Sequence, residues 1–234
     1  MILNELSLKK ALKTPQGNSV FYYFSTEEYL VQQYARQTMT LLCDAEDSEI
    51  TRVAGPAPSV AEIVAATGTI SMFGTKRIVE IQNMEPSAMV DADVAALCDL
   101  CDSLENAVLV MTTVFRDDKA KLSKKAKQLI AAAEKNGLVA ELAKPQAQNV
   151  KKFAIETAAA QGATLSPSGA AALIDRCGMD CFLLENEIAK LAAACNYGEI
   201  TPQWIANLGT QNIEADVFEM VRFVTAKQPA RAQA

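Results

Sequence analysis

Hydrophobic positions along the chain follow two regimes that meet near residue 144. In the first, short apolar runs alternate with amphipathic stretches. Residues 2–13 carry apolar side chains at 2, 3, 6, 8 and 12 and stop before Pro15 and Gly17, which predicts a helix closed by a turn. Residues 19–24 form a continuous, aromatic-rich apolar run, the pattern of a central strand covered on both faces. Thr26 is expected to cap the helix that follows, with Glu27 and Glu28 in its first turn against the helix dipole. Leu30, Tyr34, Thr38 and Leu41 or Leu42 then recur at helical steps. Residues 49–53 predict a short alternating strand, and Ser59 can cap a helix over 60–66.

Gly68 and Gly74 bound a short connection that presents Ile70, Met72 and Phe73, and an alternating strand over 77–82 follows it. Such side chains either plug the domain's own core or are offered to a partner. Residues 89–104 predict a helix with Leu97, Leu100, Cys101 and Leu104 inward, and 107–114 a second strongly apolar strand. Residues 119–135 read as one amphipathic helix with Leu122, Ala126, Leu129, Ile130 and Ala133 on one face. Asn136-Gly137 supplies its stop, and 138–142 is a last strand. Five strands alternating with helices predict an α/β fold with a mostly parallel sheet.

After Lys144 the period is helical throughout, over 148–161, 166–177, 180–195 and 201–209, with Gly162, Pro167, Gly178 and Pro202 as punctuation. In the third of these, Leu184, Ile188, Leu191 and Cys195 make one stripe, and Glu185, Glu187 and Lys190 are expected to face water. This predicts a small helical domain ending near residue 210. Residues 215–226 begin another helix, and the pattern is still running at Ala234, as expected of an incomplete domain.

Composition narrows the chemistry. No apolar run is long enough to span a bilayer, and the first residues read as an amphipathic helix rather than a signal peptide, so a soluble cytoplasmic protein is expected. A net charge of −6 removes any global positive field for a phosphate backbone, leaving nucleic acid only a local patch or a partner. With no histidine in the chain, His-based general bases, Ser-His-Asp and Cys-His pairs and most catalytic zinc sites are excluded. The six cysteines, Cys43, Cys98, Cys101, Cys177, Cys181 and Cys195, lack the Gly-rich knuckles of zinc ribbons. They are read as small buried hydrophobes, without metal or disulfide.

A parallel sheet followed by a helical domain suggests a nucleotide-binding fold with a lid. A P-loop needs Gly-x-x-x-x-Gly-Lys-Ser/Thr after the first strand, so that backbone amides and a lysine meet the phosphates. Here that loop is Ser25-Thr26-Glu27-Glu28, without glycine or lysine and with two carboxylates where phosphate would sit. The fourth strand ends Val110-Met111-Thr112-Thr113, without the acidic pair that would hold Mg²⁺. No cofactor, metal or catalytic set is therefore expected. Between Arg116 and Lys127, six basic residues stand against Asp117 and Asp118. That cluster, which includes Lys119, Lys121, Lys124 and Lys125, is either the solvated face of a helix or a contact for DNA or an acidic partner.

Several stretches resemble, in the right order, the delta subunit of bacterial DNA polymerase III. The run from Phe21 to Leu30 is similar to that family's degenerate first strand and loop, and the run from Ile70 to Val79 to its Ser–Leu–Phe stretch with following basic residues. The run from Asp118 to Lys124 resembles its lysine-rich segment, with Leu122 where another lysine would stand. The run from Leu184 to Leu191 resembles its Glu-x-x-Lys-Leu helix, Ile200-Thr201-Pro202 the turn beyond, and the run from Asp216 to Glu219 the start of its third domain.

The resemblance implies an AAA+-like α/β domain without a functional P-loop at 1–143, a helical lid at 144–210 and the beginning of a helical collar at 211–234. It implies a non-enzymatic clamp-loader subunit of the replicative DNA polymerase that grips the sliding clamp and opens one interface. Its partners would be the clamp, other loader subunits through the collar and the AAA+-like domain, and DNA indirectly or weakly, with no membrane. The family's Leu–Phe pair carries over to Met72 and Phe73, a volume-conserving change at the first position, with Ile70 supporting. Two other readings stand beside it: an atypical nucleotide-binding protein of AAA+-like fold, and a generic interaction module in which Ile70, Met72 and Phe73 are core.

Overall fold

The aromatic run forms strand β1 (Val20–Ser25), with all six residues buried. The computed structural model describes residues 2–15, 17–45, 48–68, 75–144 and 146–210. Ile70, Met72 and Phe73 lie outside the described residues, as do residues 211–234. In chain order, β1 is preceded by α1 (Glu5–Ala11) and followed by α2 (Glu28–Ala45), β2 (Ser48–Ala54), α3 (Val60–Gly68) and β3 (Lys76–Gln82). Next come α4 (Asp91–Ser103), β4 (Ala107–Val114), α5 (Asp118–Lys121), α6 (Lys124–Asn136) and β5 (Gly137–Leu142).

The five strands make one sheet in the order β2-β3-β4-β1-β5, with every neighbouring pair parallel. Alternation along the strands sends Tyr22, Phe24, Val79, Ile81, Leu109 and Met111 to one face, against Ile63 of α3, Leu97 and Cys101 of α4 and Leu129 of α6. The opposite face is covered by α2 against β1 and β4 and by α1 against β5. Phe21, Tyr23, Ile78, Val108 and Val110 are buried there. Burying one such side chain contributes about 1.5–3 kcal/mol, so β1 and β4, covered on both faces, anchor the unit. Leu3 closes the outer edge of β5: its N–H donates to Val139 O (2.8 Å), and Glu141 N–H donates to its carbonyl (3.0 Å). β2 is the other edge, mostly exposed.

The predicted helix over 119–135 is two helices. Asp117 caps α5 by accepting from Ala120 N–H (2.7 Å), and Ser123 caps α6 by accepting from Ala126 N–H (3.2 Å). A second cap two residues beyond the end of α5 restarts the helix in a new phase. Leu122, expected on the buried face, is 58% exposed at the break.

The chain divides after Lys144 into two compact units. The second contains α7 (Ala147–Ala160), α8 (Pro167–Cys177), α9 (Cys181–Ala194) and α10 (Pro202–Leu208). Ser166 and Asp180 cap α8 and α9, and Gly178 takes the positive φ (83°) that ends α8. Val150, Ala154, Leu173, Leu184, Ile188 and Leu191 form its core. Glu187 departs from expectation: it does not face water but is 5% exposed, bonded to Lys190 and Thr210. Among the described residues no helix is long and apolar enough to cross a membrane.

Candidate functional site

In a parallel α/β sheet, ligands gather at the carboxyl ends of the strands, and here those ends are laced together by short neutral side chains. Ser25, the last residue of β1, is buried; its Oγ donates to Leu142 O of β5 (2.6 Å) and accepts from Glu27 N–H (2.9 Å). Its carbonyl accepts from Phe115 N–H (2.8 Å), just past β4. Ser25, rather than the expected Thr26, is thus the side chain that accepts a backbone N–H ahead of α2. A phosphate cradle needs such amides pointing outward and unpaired; this loop has spent one on its own serine.

Glu28 opens α2 and is exposed. Its Oε1 accepts from Gln32 Nε2 (2.7 Å) and from Asn83 Nδ2 (3.1 Å). Asn83 follows β3 with a positive φ (53°), a conformation that asparagine tolerates. Its N–H donates to Thr112 Oγ1 (2.9 Å), which donates in turn to Ile81 O (3.3 Å). Thr113 Oγ1 shares a hydrogen bond with Tyr22 OH (2.9 Å), and burial holds that phenol well above its ordinary pKa. At the position of an acidic, metal-holding pair stand two threonines that tie β4 to β3 and β1. The loop is a poor match for a nucleoside triphosphate: it carries two carboxylates, and Ser25 Oγ, the Glu27 amide and Glu28 Oε1 already have partners.

The basic segment is divided by its contacts. Lys121 Nζ pairs with Glu141 Oε1 (2.6 Å). Lys125 Nζ pairs with Asp91 Oδ1 (3.0 Å) and donates to Met89 O (2.6 Å), tying α6 to the start of α4. Lys119, Lys124 and Lys127 are exposed. Of the four lysines suggested for DNA or an acidic partner, two are thus committed within the fold and two, Lys119 and Lys124, are exposed. Burial pushes the Cys101 thiol up to about 12, as for a core hydrophobe. Among the described residues no group of three or more Cys, Asp or Glu is placed to hold a metal.

The pair Met72 and Phe73 lies between the end of α3 at Gly68 and the start of β3 at Lys76. Beyond it on β3, Arg77 is largely buried and pairs with Glu49 across β2 and β3 (Nη2–Oε2, 3.3 Å).

No protein-family model matches the chain, and no curated protein sequence does. Solved structures do. The Bacillus subtilis DNA clamp loader delta protein (YqeN) is similar over 97% of this chain and 69% of that one, at 18% identity and a TM-score of 0.63. The Thermotoga maritima RuvB Holliday junction branch migration motor matches over 95% and 74%, at 13% identity and a TM-score of 0.57. Domain III of the Thermotoga maritima replication initiation protein DnaA matches over 82% of both chains, at 13% identity and a TM-score of 0.51. At these identities the likeness establishes the fold: an AAA+-like five-stranded parallel sheet flanked by helices, with a helical unit after it, shared with a clamp loader delta protein.

Proposed function

We propose that the chain is a delta-type clamp-loader subunit that binds a sliding clamp and helps open it for loading onto DNA, without hydrolysing ATP itself. The observation that carries this reading is the conjunction of a clamp-loader-like fold over 97% of the chain with a first strand–loop–helix closed by Ser25, Glu27 and Glu28. Met72 and Phe73, supported by Ile70, are the clamp-binding pair. Burying one Met and one Phe contributes about 3–6 kcal/mol before entropic costs, enough for a hot spot within a larger interface. The work done on the clamp is a shift of population toward the open ring, bounded by the difference in affinity for the two forms. Other subunits, engaged through this domain and through residues 211–234, supply hydrolysis. Lys119 and Lys124 are the residues of the basic segment that reach DNA or an acidic partner, weakly, and the complex works in the cytoplasm.

The test is binding of the full chain to its cognate sliding clamp. Replacing Met72 and Phe73 together by alanine should weaken binding at least about tenfold, roughly 1.4 kcal/mol, with helicity and melting temperature kept. Loss of folding instead would make those residues core and sink the loop assignment. The RuvB likeness motivates a second measurement, ATP titration by calorimetry. Saturable binding by the isolated chain would replace the non-hydrolysing reading with that of an atypical nucleotide-binding protein.

A further inference from the structure

Among the described residues Glu187 is the most deeply buried carboxylate of the helical unit, and it bonds across to Thr210, which follows α10. Its Oε2 accepts from Thr210 N–H (2.8 Å), and its Oε1 accepts from Thr210 Oγ1 (2.7 Å) and Lys190 Nζ (2.8 Å). Lys190 Nζ also donates to Thr210 Oγ1 (3.2 Å). From α8, Arg176 Nε donates to Gly209 O (2.7 Å) and Cys177 Sγ to Thr210 O (3.2 Å). Gly209 is needed for this approach, because a Cβ there would lie 2.5 Å from Ile205 O and 3.0 Å from Arg176 Cδ. Two successive residues after α10 are therefore held from both sides by side chains of α8 and α9.

We propose that Glu187, with Lys190 and Arg176, forms a clasp that locks the backbone at Gly209 and Thr210 onto α8 and α9 and fixes its direction there. The Glu-x-x-Lys spacing has a physical reason in it. Residues three apart on a helix are neighbours, so the lysine neutralises a carboxylate whose remaining lone pairs are given to the crossing backbone. A buried carboxylate is costly unless its lone pairs are filled, so Thr210 adds the two donors that Lys190 alone does not supply. The inference does not rest on the clamp-loader reading.

Amide exchange of the full chain, followed residue by residue by NMR, tests it. In the wild type the Thr210 amide should be protected. Glu187→Ala should lower its protection factor at least about tenfold, while Leu173 and Ile188, in the cores of α8 and α9, stay within about twofold. Unchanged protection at Thr210, or an equal loss at Leu173 and Ile188, would overturn the clasp and make Glu187 an ordinary packing residue. Should Glu187→Ala fail to fold, Thr210→Val removes one donor and keeps the carboxylate paired with Lys190. A fall in protection at position 210 alone then supports the clasp, and no change overturns it.

Discussion

Two single residues sit where they do because of backbone that arrives from far along the chain. Gly137 opens β5 in an extended conformation (φ −164°) that any residue can adopt. What forbids a side chain is space, since a Cβ there would run into the backbone carbonyl of Val20, its register partner on β1. Gly137→Ala should therefore lower stability by about 3 kcal/mol or more, because β5 must move away from the central strand β1. A urea titration followed by circular dichroism would show it, and a change below about 1 kcal/mol would mean that β1 and β5 yield more easily than their pairing suggests. Asn136-Gly137 does end a helix, as its composition predicts, yet the glycine serves a contact with residue 20 that no local rule contains. Glu187 teaches the same. Helical periodicity sets it beside Leu184 and Leu191, only its charge argues for water, and what covers it is Thr210, twenty-three residues on.

At the scale of elements, the stretch over 118–136 shows where periodicity misleads. Leu122, Ala126, Leu129 and Ala133 are spaced for one continuous face, but two caps six residues apart, Asp117 and Ser123, divide the segment. Leu129 is fully buried and Leu122 is not. Leu129→Ala should cost about 2–5 kcal/mol, whereas Leu122→Ala should stay within about 0.5 kcal/mol. Comparable losses at both positions, measured by the same titration, would mean that the helix is continuous in solution. The strands were far more legible. Residues 107–114 and 20–25 are buried on both faces, so their apolar runs carry no competing period and their ends are set by Ser25 and Val114. The short-side-chain hydrogen bonds at those ends, Ser25 to Leu142 and Asn83 to Thr112, were not legible. They depend on strand order, which the hydrophobic pattern does not encode. What could be read there was negative: no glycine, no lysine, two acids.

For the whole molecule, the separation into two units gives each its own core and its own dependence on conditions. The single tryptophan, Trp204 of α10, makes its fluorescence a probe of the helical unit. Burial alone would push the Glu187 carboxyl up, but the hydrogen bonds from Lys190 and Thr210 outweigh it and hold the carboxyl below its usual range. Cys177, raised by burial and by the neighbouring carboxylate to about 11, stays a neutral thiol throughout. A carboxyl whose folded pKa is depressed stabilises the fold above its unfolded pKa of about 4.3, and that contribution disappears as pH falls through the lower folded value. The urea midpoint read by Trp204 should therefore be higher for the wild type than for Glu187→Gln at pH 7. The two should converge as pH falls through the depressed folded value, where the wild-type carboxyl takes up its proton and becomes, like the amide, a neutral group beside Lys190. A gap between them that is constant from pH 7 to pH 3 would show that the charge of Glu187 contributes nothing to the unit, and that shape alone holds Thr210 in place.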